Sequence, residues 1–494
     1  MRPLLGFVLL HGLFLITGWS ILRLLRFVPV RPSRFEALAG AGPAMLLGVC
    51  SLVPIQAVLL VCGVPLVPVV TLLLTFAFAA AAAVLSRRRA ARDATEGSVV
   101  LASWRATGRA RGMLTALAVA YLAFGTWALA GLPTVGDDAR IWSLKGLTLT
   151  YHHTLVADIF QNQGQAGAHP VYPLFQPGFE ALLFQAMGSA QLRFFHAELW
   201  LLFAAAVWTG AYLIAQRPRT ITQRPLWLIG LALLVLTPAV IRNLAMGLAD
   251  VTGGALLAVG TVSLGLYLTA QDWRLLALAV IPLAAAANTK DEELLATLVT
   301  LGAGAAIDLV RNQRGAADGP RRWALPWASA AAYMAALIVP WRLWTRAHHL
   351  TDSVQPPLPH ALSPAFILHR THQLNQTIAA MLHQTLSEFG WLFAIFILAC
   401  AAGLRTRGAR VTARFYLASI ALSIIALVWL YTTTSVPLSF LIPTSMNRTV
   451  DVFMIPCAMA TAHLVAQLGE TCSDNEPRPR AAAVCQPRST RGKA

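Results

Sequence analysis

The sequence predicts an all-α membrane protein, a polytopic bundle of transmembrane helices. Hydrophobic residues make up 57% of the chain and charged residues only 12%, where soluble domains carry about 25% charge. The mean hydropathy is +0.63. Apolar residues also recur in blocks of about 20, the length that crosses a hydrocarbon core of roughly 30 Å. Because these blocks continue to the C-terminal region, a signal peptide alone does not explain them.

The apolar blocks predict about 11–13 membrane segments. They lie near residues 4–22, 38–62, 64–85, 112–132, 194–215, 225–246, 249–271, 274–288, 292–309, 323–341, 389–404, 415–435 and 449–468. Two of them, 274–288 and 292–309, are short for a span. Such short neighbours favour a broken or re-entrant arrangement that lines a cavity.

These segments divide the chain into helical regions, two large loops and a tail. We expect N-terminal transmembrane helices over 1–132, a first large outer loop over 133–193, helices with short re-entrant segments over 194–341, a second outer loop over 342–388, C-terminal helices over 389–470 and a disordered basic cytoplasmic tail over 471–494. The three prolines of the first loop, at 170, 173 and 177, predict a rigid turn that leads to a short amphipathic helix at the membrane surface.

The net charge of +17 follows the topology. Most Lys and Arg residues fall in clusters that lie on one side if the chain crosses at every segment. The positive-inside rule places that side in the cytoplasm, and the loops 133–193, 342–388 and 436–448 outside. We therefore expect no nucleic-acid partner. The composition suits a bacterial inner (cytoplasmic) membrane, with the outer loops in the periplasm.

Charged residues kept beside lipid are functional candidates. On the predicted outer side they gather in "VGDDARIWSLKG" with Asp137 and Asp138, around "NLAMGLAD" with Arg242 and Asp250, in "NTKDEE" with Lys290 and Glu292, and in "PTSMNRTVD" with Arg448 and Asp451. A single acid at a helix start often only complements the helix dipole, and a single base often snorkels to headgroups. These alternatives remain open for Arg242, Asp250 and Asp451. They do not explain the adjacent pair Asp137 and Asp138, because one helix start does not need two acids.

Four stretches resemble elements of the polytopic GT-C glycosyltransferases, in particular the group of the dolichyl-phosphate-mannose protein mannosyltransferases. "GDDARIWSLKG" followed by "HPVYPLFQPGFEALLF" is similar to an acidic pair and an aromatic residue before a His-Pro-x-Tyr-Pro stretch. "GLADVTGGALL" resembles an Ala-Asp-centred helix start, and "NTKDEELL" resembles a Thr-Lys-x-Glu element. Two departures are that Glu293 stands where the family often has glycine, and that four spans precede the acidic loop where many relatives have one.

The resemblance implies an inverting transferase that moves a sugar from a polyprenyl-phosphate or polyprenyl-diphosphate donor to a cell-envelope lipid, glycan or protein. A carboxylate at the membrane boundary suits a general base, and Asp137 and Asp138 are both candidates. Cations that face the same cavity would hold the donor phosphate, and Lys290, Arg448 and Arg242 are the candidates.

His169, Tyr172, Asp250 and Glu292 are the candidate substrate-binding residues. No cofactor is expected, although a divalent metal held by the two loop aspartates and a histidine is left open. The expected partners are the lipid-linked donor and membrane lipid. The alternative function is a transporter or flippase of a lipid-linked or anionic solute, although no inverted repeat is visible in the sequence.

Overall fold

The computed structural model describes residues 2–28, 32–67, 138–162, 169–215, 234–313, 321–351, 354–356 and 358–474, with residue 231 and scattered positions in 69–85 and 122–132. Within these ranges every regular element is a helix, which confirms the all-α class. The helices are α1 Arg2–Leu24, α2 Arg34–Val61, α3 Leu144–His152, α4 Asp158–Gln161, α5 Phe175–Met187, α6 Arg193–Ala215, α7 Pro238–Ala245, α8 Ala249–Ala270, α9 Trp273–Ala287, α10 Asp291–Gln313, α11 Arg321–Ala347, α12 Leu358–Ala361, α13 Pro364–Arg370, α14 Leu374–Arg405, α15 Arg410–Thr433, α16 Leu438–Leu441, α17 Asn447–Thr449 and α18 Asp451–Asp474. Two π-helices, Asp138–Ser143 and Ile442–Met446, and a short 3₁₀-helix, Thr371–Gln373, complete the set.

Among the described residues, nine helices are long and apolar enough to cross a membrane. They are Pro3–Leu24, Glu36–Val61, Arg193–Ala215, Ala249–Ala270, Asp291–Arg311, Ala324–Ala347, Pro364–Arg405, Arg410–Thr433 and Leu438–Leu468. Each overlaps a predicted segment, so the chain is a multi-pass helical bundle. Of the other predicted segments, 112–132 falls largely outside the described residues, and 64–85 is described at 64–67 and at scattered positions of 69–85. The described part of 225–246 contains the short helix α7, and 274–288 corresponds to the 15-residue α9.

The predicted re-entrant arrangement around Lys290 stays a prediction, and the structure has one short and one full-length helix there. Helix α10 is continuous over 23 residues. Helix α9 has 15 residues, or about 22 Å at 1.5 Å per residue, and it returns along α8 to bring Lys290 beside Asp250. The predicted segment, 292–309, begins one residue after α10 and ends four residues before Gln313, because the polar residues Arg311, Asn312 and Gln313 end the apolar block before the helix ends.

The second predicted loop, 342–388, is also partly helical. Helix α11 continues to Ala347, and α14 begins at Leu374. The early part of α14 buries Thr377, Met381, Thr385 and Phe389, which recur every four residues, while its other faces are exposed and partly polar. A helix with one buried stripe has a low mean hydropathy over that stretch, so its N-terminal turns look like a loop.

The turn and helix predicted after Pro170 are present, but α5 does not lie on a surface. Eleven of its 13 residues are buried, and it packs against α1, α2 and α3. Pro177 falls in its first turn, where a missing N–H breaks no helical hydrogen bond. The expected amphipathic surface helix is therefore a core helix of the bundle.

Helix α8 is the centre of the bundle and determines where the polar groups meet. Every position of its apolar window is buried, and it packs against α6, α9, α10, α15 and α18. Close packing at Gly253 and Gly254, next to the Glu293 side chain and the Asp451 backbone, aligns the N-termini of α8, α10 and α18. We call this end of the bundle the site end. The opposite end holds Arg311, which donates to the Leu268 carbonyl.

Candidate functional site

A buried ion cluster lies at the site end and consists of Asp250, Lys290, Glu292 and Arg448. Lys290 occupies the turn between α9 and α10, and its Nζ lies 2.8 Å from Asp250 Oδ1 and 3.2 Å from Glu292 Oε1. Arg448 Nε lies 3.8 Å from the other Asp250 oxygen. The side chains of Lys290 and Asp250 are only 3% and 2% exposed. Charges so deeply buried persist in proteins only when they are paired, as these are.

The charge state of Lys290 follows from its partners. Burial lowers the pKa of the Lys290 ammonium, but the carboxylates of Asp250 and Glu292 raise it further, so that it lies well above its ordinary value. Lys290 is therefore positively charged at any physiological pH. Its charge is already matched by two carboxylates of this protein.

Further acids surround the cluster. Glu293 is fully buried, and neither of its carboxyl oxygens has a hydrogen-bond partner among the described residues. Asp451, at the start of α18, accepts a hydrogen bond of 2.7 Å from Asn243 Nδ2. The N-termini of α8, α10 and α18 meet here, and each helix start carries a partial positive charge of about +0.5. The positive field of these three helix starts stabilises the negative charge of the clustered carboxylates, which are more numerous than the nearby cations.

Two partly exposed arginines form the rim of the cluster. Arg242 Nη2 lies 3.4 Å from Glu388 Oε1, and the arginine side chain is 45% exposed. Arg342, near the end of α11, pairs with Asp291 at the start of α10. The rim therefore joins α7 to α14 and α11 to α10 and leaves guanidinium surface open to solvent.

The first predicted outer loop is fastened to this site. Trp341 Nε1 donates to the carbonyl of Val171 at 2.9 Å. The Phe175 N–H donates to the carbonyl of Asn288 at 3.0 Å, and Gln176 Nε2 donates to the carbonyl of Gly247 at 2.9 Å. The segment 171–176 is thus held against the two turns that carry Lys290 and Asp250.

Three rings connect the acidic motif to that segment. Tyr172 stacks on Trp142 with ring centroids 5.7 Å apart and on His169 with centroids 4.6 Å apart. The hydrogen bond from the Phe175 N–H to the Asn288 carbonyl joins the chain three residues after Tyr172 to the chain two residues before Lys290, which places the stack next to the ion cluster. Trp142 belongs to the π-helix that Asp138 begins.

π-Helical turns are rare and occur frequently at functional sites. One carries the acidic motif, and the other, Ile442–Met446, directly precedes Arg448. Two of the four chain segments that supply predicted site residues therefore have this unusual backbone. Of the predicted base candidates, Asp138 begins the first π-helix, while Asp137 lies outside the described residues.

Five of the predicted site residues come together: Tyr172, Asp250, Lys290, Glu292 and Arg448. His169 joins them through Tyr172, and Arg242 lies at the rim through its neighbour Asn243. The sequence analysis assigned no role to Trp142, Lys145, Asn243, Arg342 or Glu388. Lys145 and Trp142 belong to the acidic motif quoted above. Arg342 and Glu388 stand at the two ends of the predicted second loop, so a charged residue next to the end of a membrane segment was the feature that could have identified them.

A small, mostly apolar depression lies beside the site, and its volume of about 10 Å³ has room for about one water molecule. Its walls come from α2, α11, the end of α9 and the segment before α5, and its lining residues are Ala57, Val58, Val61, Leu174, Asn288, Leu337 and Trp341. Asn288 is two residues from Lys290, and Leu174 is two residues from Tyr172. Apolar side chains therefore adjoin the turns that carry Lys290 and Tyr172.

The described residues contain no group of three or more His, Cys, Asp or Glu side chains placed to hold a metal ion. The divalent metal left open from the sequence involved Asp137 and remains untested. Comparisons with protein-family models, with curated proteins and with solved structures gave no match to this chain. The GT-C resemblance of the four motifs therefore remains an interpretation of the sequence.

Proposed function

We propose that this protein is an integral membrane glycosyltransferase of the GT-C type. It takes a sugar from a polyprenyl-phosphate or polyprenyl-diphosphate donor and transfers it to a cell-envelope lipid, glycan or protein. The observation that carries this proposal is the junction of the first outer loop with the ion cluster. An acidic and aromatic loop segment is held by ring stacking and backbone hydrogen bonds beside buried charges at the ends of three membrane helices. Charged groups converging near membrane depth are functional candidates by default.

The proposed chemistry is a single displacement. A loop carboxylate, Asp137 or Asp138, removes the proton from the acceptor hydroxyl, whose oxygen attacks the anomeric carbon of the sugar. The bond between that carbon and the phosphate oxygen breaks, and its electron pair leaves with the lipid phosphate. The configuration is inverted, and no covalent glycosyl-enzyme forms. A retaining mechanism would require two carboxylates about 5–5.5 Å apart on opposite sides of the bond.

The exposures of the cations rank them for binding the donor phosphate. Lys290, which the sequence suggested first, is 3% exposed and lies between two carboxylates. The Arg448 side chain is 15% exposed and that of Arg242 is 45% exposed. We therefore propose that Arg448 and Arg242 contact the phosphate and that Lys290 holds Asp250 and Glu292 in place.

The orientation follows from the distribution of basic residues. Basic clusters flank the opposite end of the bundle, with Arg23 at the end of α1, Arg311 at the end of α10 and Arg405 at the end of α14. The positive-inside rule makes that end cytoplasmic. We propose a bacterial inner-membrane protein whose site end faces the periplasm.

The test is transfer of label from a panel of radiolabelled polyprenyl-phosphate sugars by the purified chain in nanodiscs, with a membrane extract as acceptor. Asp137→Asn or Asp138→Asn is expected to lower transfer by about 10²-fold or more, the range typical of general-base loss. Asp158→Asn, in the same loop at the start of α4, is the matched control and keeps activity. Transfer that survives in both aspartate variants would refute the proposed base.

The proposal that Arg448 and Arg242 contact the donor phosphate is tested by a separate set of variants with a matched control. Arg448→Gln and Arg242→Gln are expected to raise KM for the donor, since each removes a charge-assisted contact to phosphate. Arg274→Gln, next to Asp272 at the opposite end of the bundle, leaves KM unchanged. A uniform loss in all three variants would indicate general destabilisation and contradict the assignment.

One observation favours the alternative, a transporter. Glu293 is a fully buried carboxyl in a membrane helix beside the ion cluster, and buried acids of this kind carry protons in many transporters. The two functions are separated by reconstitution into vesicles with a labelled lipid-linked sugar in one leaflet. Movement of intact donor to the other leaflet without sugar transfer would favour transport.

A further inference from the structure

Lys145 is the most deeply buried cation of the acidic motif, with a side chain that is 0% exposed. It lies in the first turn of α3, and its Nζ donates to the carbonyl of His169 at 2.5 Å, across 24 residues of chain. The same amine lies 6.0 Å from the ring centroid of Tyr172, within reach of a cation–π interaction. One buried amine therefore contacts both ends of the turn 169–172.

The backbone of His169 explains why that turn needs support. His169 has φ of +47°, in the left-handed region that residues other than glycine rarely adopt. Such a conformation persists only where the surroundings enforce it, and it is common at ligand-binding sites. The His169 carbonyl accepts hydrogen bonds from both Lys145 Nζ and the Tyr172 N–H, the latter at 3.0 Å. Lys145 thus stabilises an otherwise unfavourable turn.

The turn determines the arrangement of the rings. With His169 left-handed, its ring lies nearly parallel to that of Tyr172, at an interplanar angle of 12°, and Tyr172 lies nearly parallel to Trp142, at 14°. The result is a stack of three rings between the acidic motif and the ion cluster. Trp142 and Tyr172 are buried in the stack, whereas His169 is half-buried, so His169 is the end of the stack that a sugar with its apolar C–H faces and polar hydroxyls can reach.

We propose that Lys145 is a positioning residue of the donor site: it holds the 169–172 turn, and with it the ring stack, in the conformation that receives the sugar. Lys145 itself does not touch the substrate, because its side chain is sealed behind the turn. The proposal rests on the glycosyltransferase function proposed above. It gives a structural role to Lys145, which takes no direct part in the proposed transfer reaction.

The first experiment measures the turn directly by amide hydrogen exchange of the full chain in nanodiscs. Lys145→Met removes the donor, and Lys145→Gln keeps an N–H donor on a side chain that is one bond shorter. We expect the peptide covering 169–176, which contains the hydrogen-bonded amides of Tyr172 and Phe175, to exchange about tenfold faster in the Met variant and less so in the Gln variant. Thr148→Ala, an exposed position in the same helix, is the matched control. Unchanged exchange in the Met variant would overturn the proposal.

The second experiment measures transfer kinetics with the donor found active for the wild type. We expect KM for the donor to rise about tenfold in Lys145→Met, with kcat nearly unchanged and with partial recovery in Lys145→Gln. A lower kcat with an unchanged KM would show that the turn does not serve donor binding. If the wild type transfers no sugar from any donor, the proposed function fails, and the role of Lys145 in donor binding fails with it. The exchange data would still show whether Lys145 holds the turn.

Discussion

The buried ion pair of Lys290 and Asp250 provides the sharpest test of the structure. Lys290→Met removes the ammonium while keeping an unbranched side chain of similar volume. Asp250 would then remain 2% exposed with only Arg448 close to it, at 3.8 Å, and Glu292 would lose its partner at 3.2 Å. Removing one member of a buried pair costs about 3–5 kcal/mol, because the other charge stays buried without compensation.

The reverse change is expected to cost less. Asp250→Asn leaves Lys290 with the Glu292 carboxylate and replaces a charged acceptor by an amide oxygen, for a loss of about 1–3 kcal/mol. The double variant removes both charges, so neither penalty for an unpaired ion remains. We expect it to be more stable than Lys290→Met alone, with a coupling energy between the two sites of at least about 2 kcal/mol.

Reversible unfolding in mixed micelles with increasing denaturing detergent measures these free energies for the wild type, both single variants and the double variant. Asp272→Asn, at the opposite end of the bundle and beside Arg274, is the control for an ion pair that is far less buried, and a change below about 1 kcal/mol is expected there. Additive losses in the double variant would mean that the two side chains do not interact, and the central contact of the site would be refuted.

Two further predictions concern stability. Burial lowers the pKa of Lys145 to about 7, against the opposing effect of Asp291, so between about pH 7 and the ordinary lysine value the unfolded chain binds a proton that the folded chain lacks. The free energy of unfolding should therefore rise with pH in this window, by up to roughly 1.4 kcal/mol per pH unit. Unfolding of the wild type and of Lys145→Met at pH 7, 8 and 9 measures this rise, which the variant should abolish. Gly18→Ala should destabilise the bundle by about 1–3 kcal/mol, because the new methyl group would overlap the Ala44 backbone of α2. The control is Gly12→Ala in the same helix, where the new methyl group contacts no other atom and the change should be neutral or slightly stabilising. Equal effects of the two substitutions on stability would contradict the close packing of α1 on α2.

The helices were the predictable part of this protein. A span such as α8 has an apolar surface on every side, so hydropathy alone locates it to within a residue or two. Its polar start, with Asp250 at the second position, was visible for the same reason, since an acid stands out against lipid-facing sequence. Hydropathy performs worse where a helix continues past the apolar region, and it placed the start of α14 fifteen residues late, at 389 instead of Leu374.

The pairing of charges was not predictable from a single sequence. Lys290 and Asp250 are separated by 40 residues, and only the return of α9 along α8 brings them together. Sequence order alone made Lys290 look like an uncommitted cation facing a cavity. In the structure it is enclosed, which moves the proposed phosphate contact to Arg448 and Arg242.

The charge distribution at the site end suggests how the proposed donor would be selected. Asp250, Glu293 and Asp451 are buried there and Glu292 is 12% exposed, whereas Lys290 is the buried cation of the cluster. A phosphate that entered the cluster itself would meet carboxylates, with their repulsion weakly screened by water. The exposed guanidinium groups at the rim produce a positive potential, which attracts a phosphate. In the proposed site the sugar would project inward to the ring stack, and the phosphate would stay at the outer edge of the cluster, in contact with Arg242 and the partly exposed Arg448. In this arrangement the acids repel any anion that lacks a sugar to span the distance, so free phosphate should inhibit only weakly compared with the intact donor.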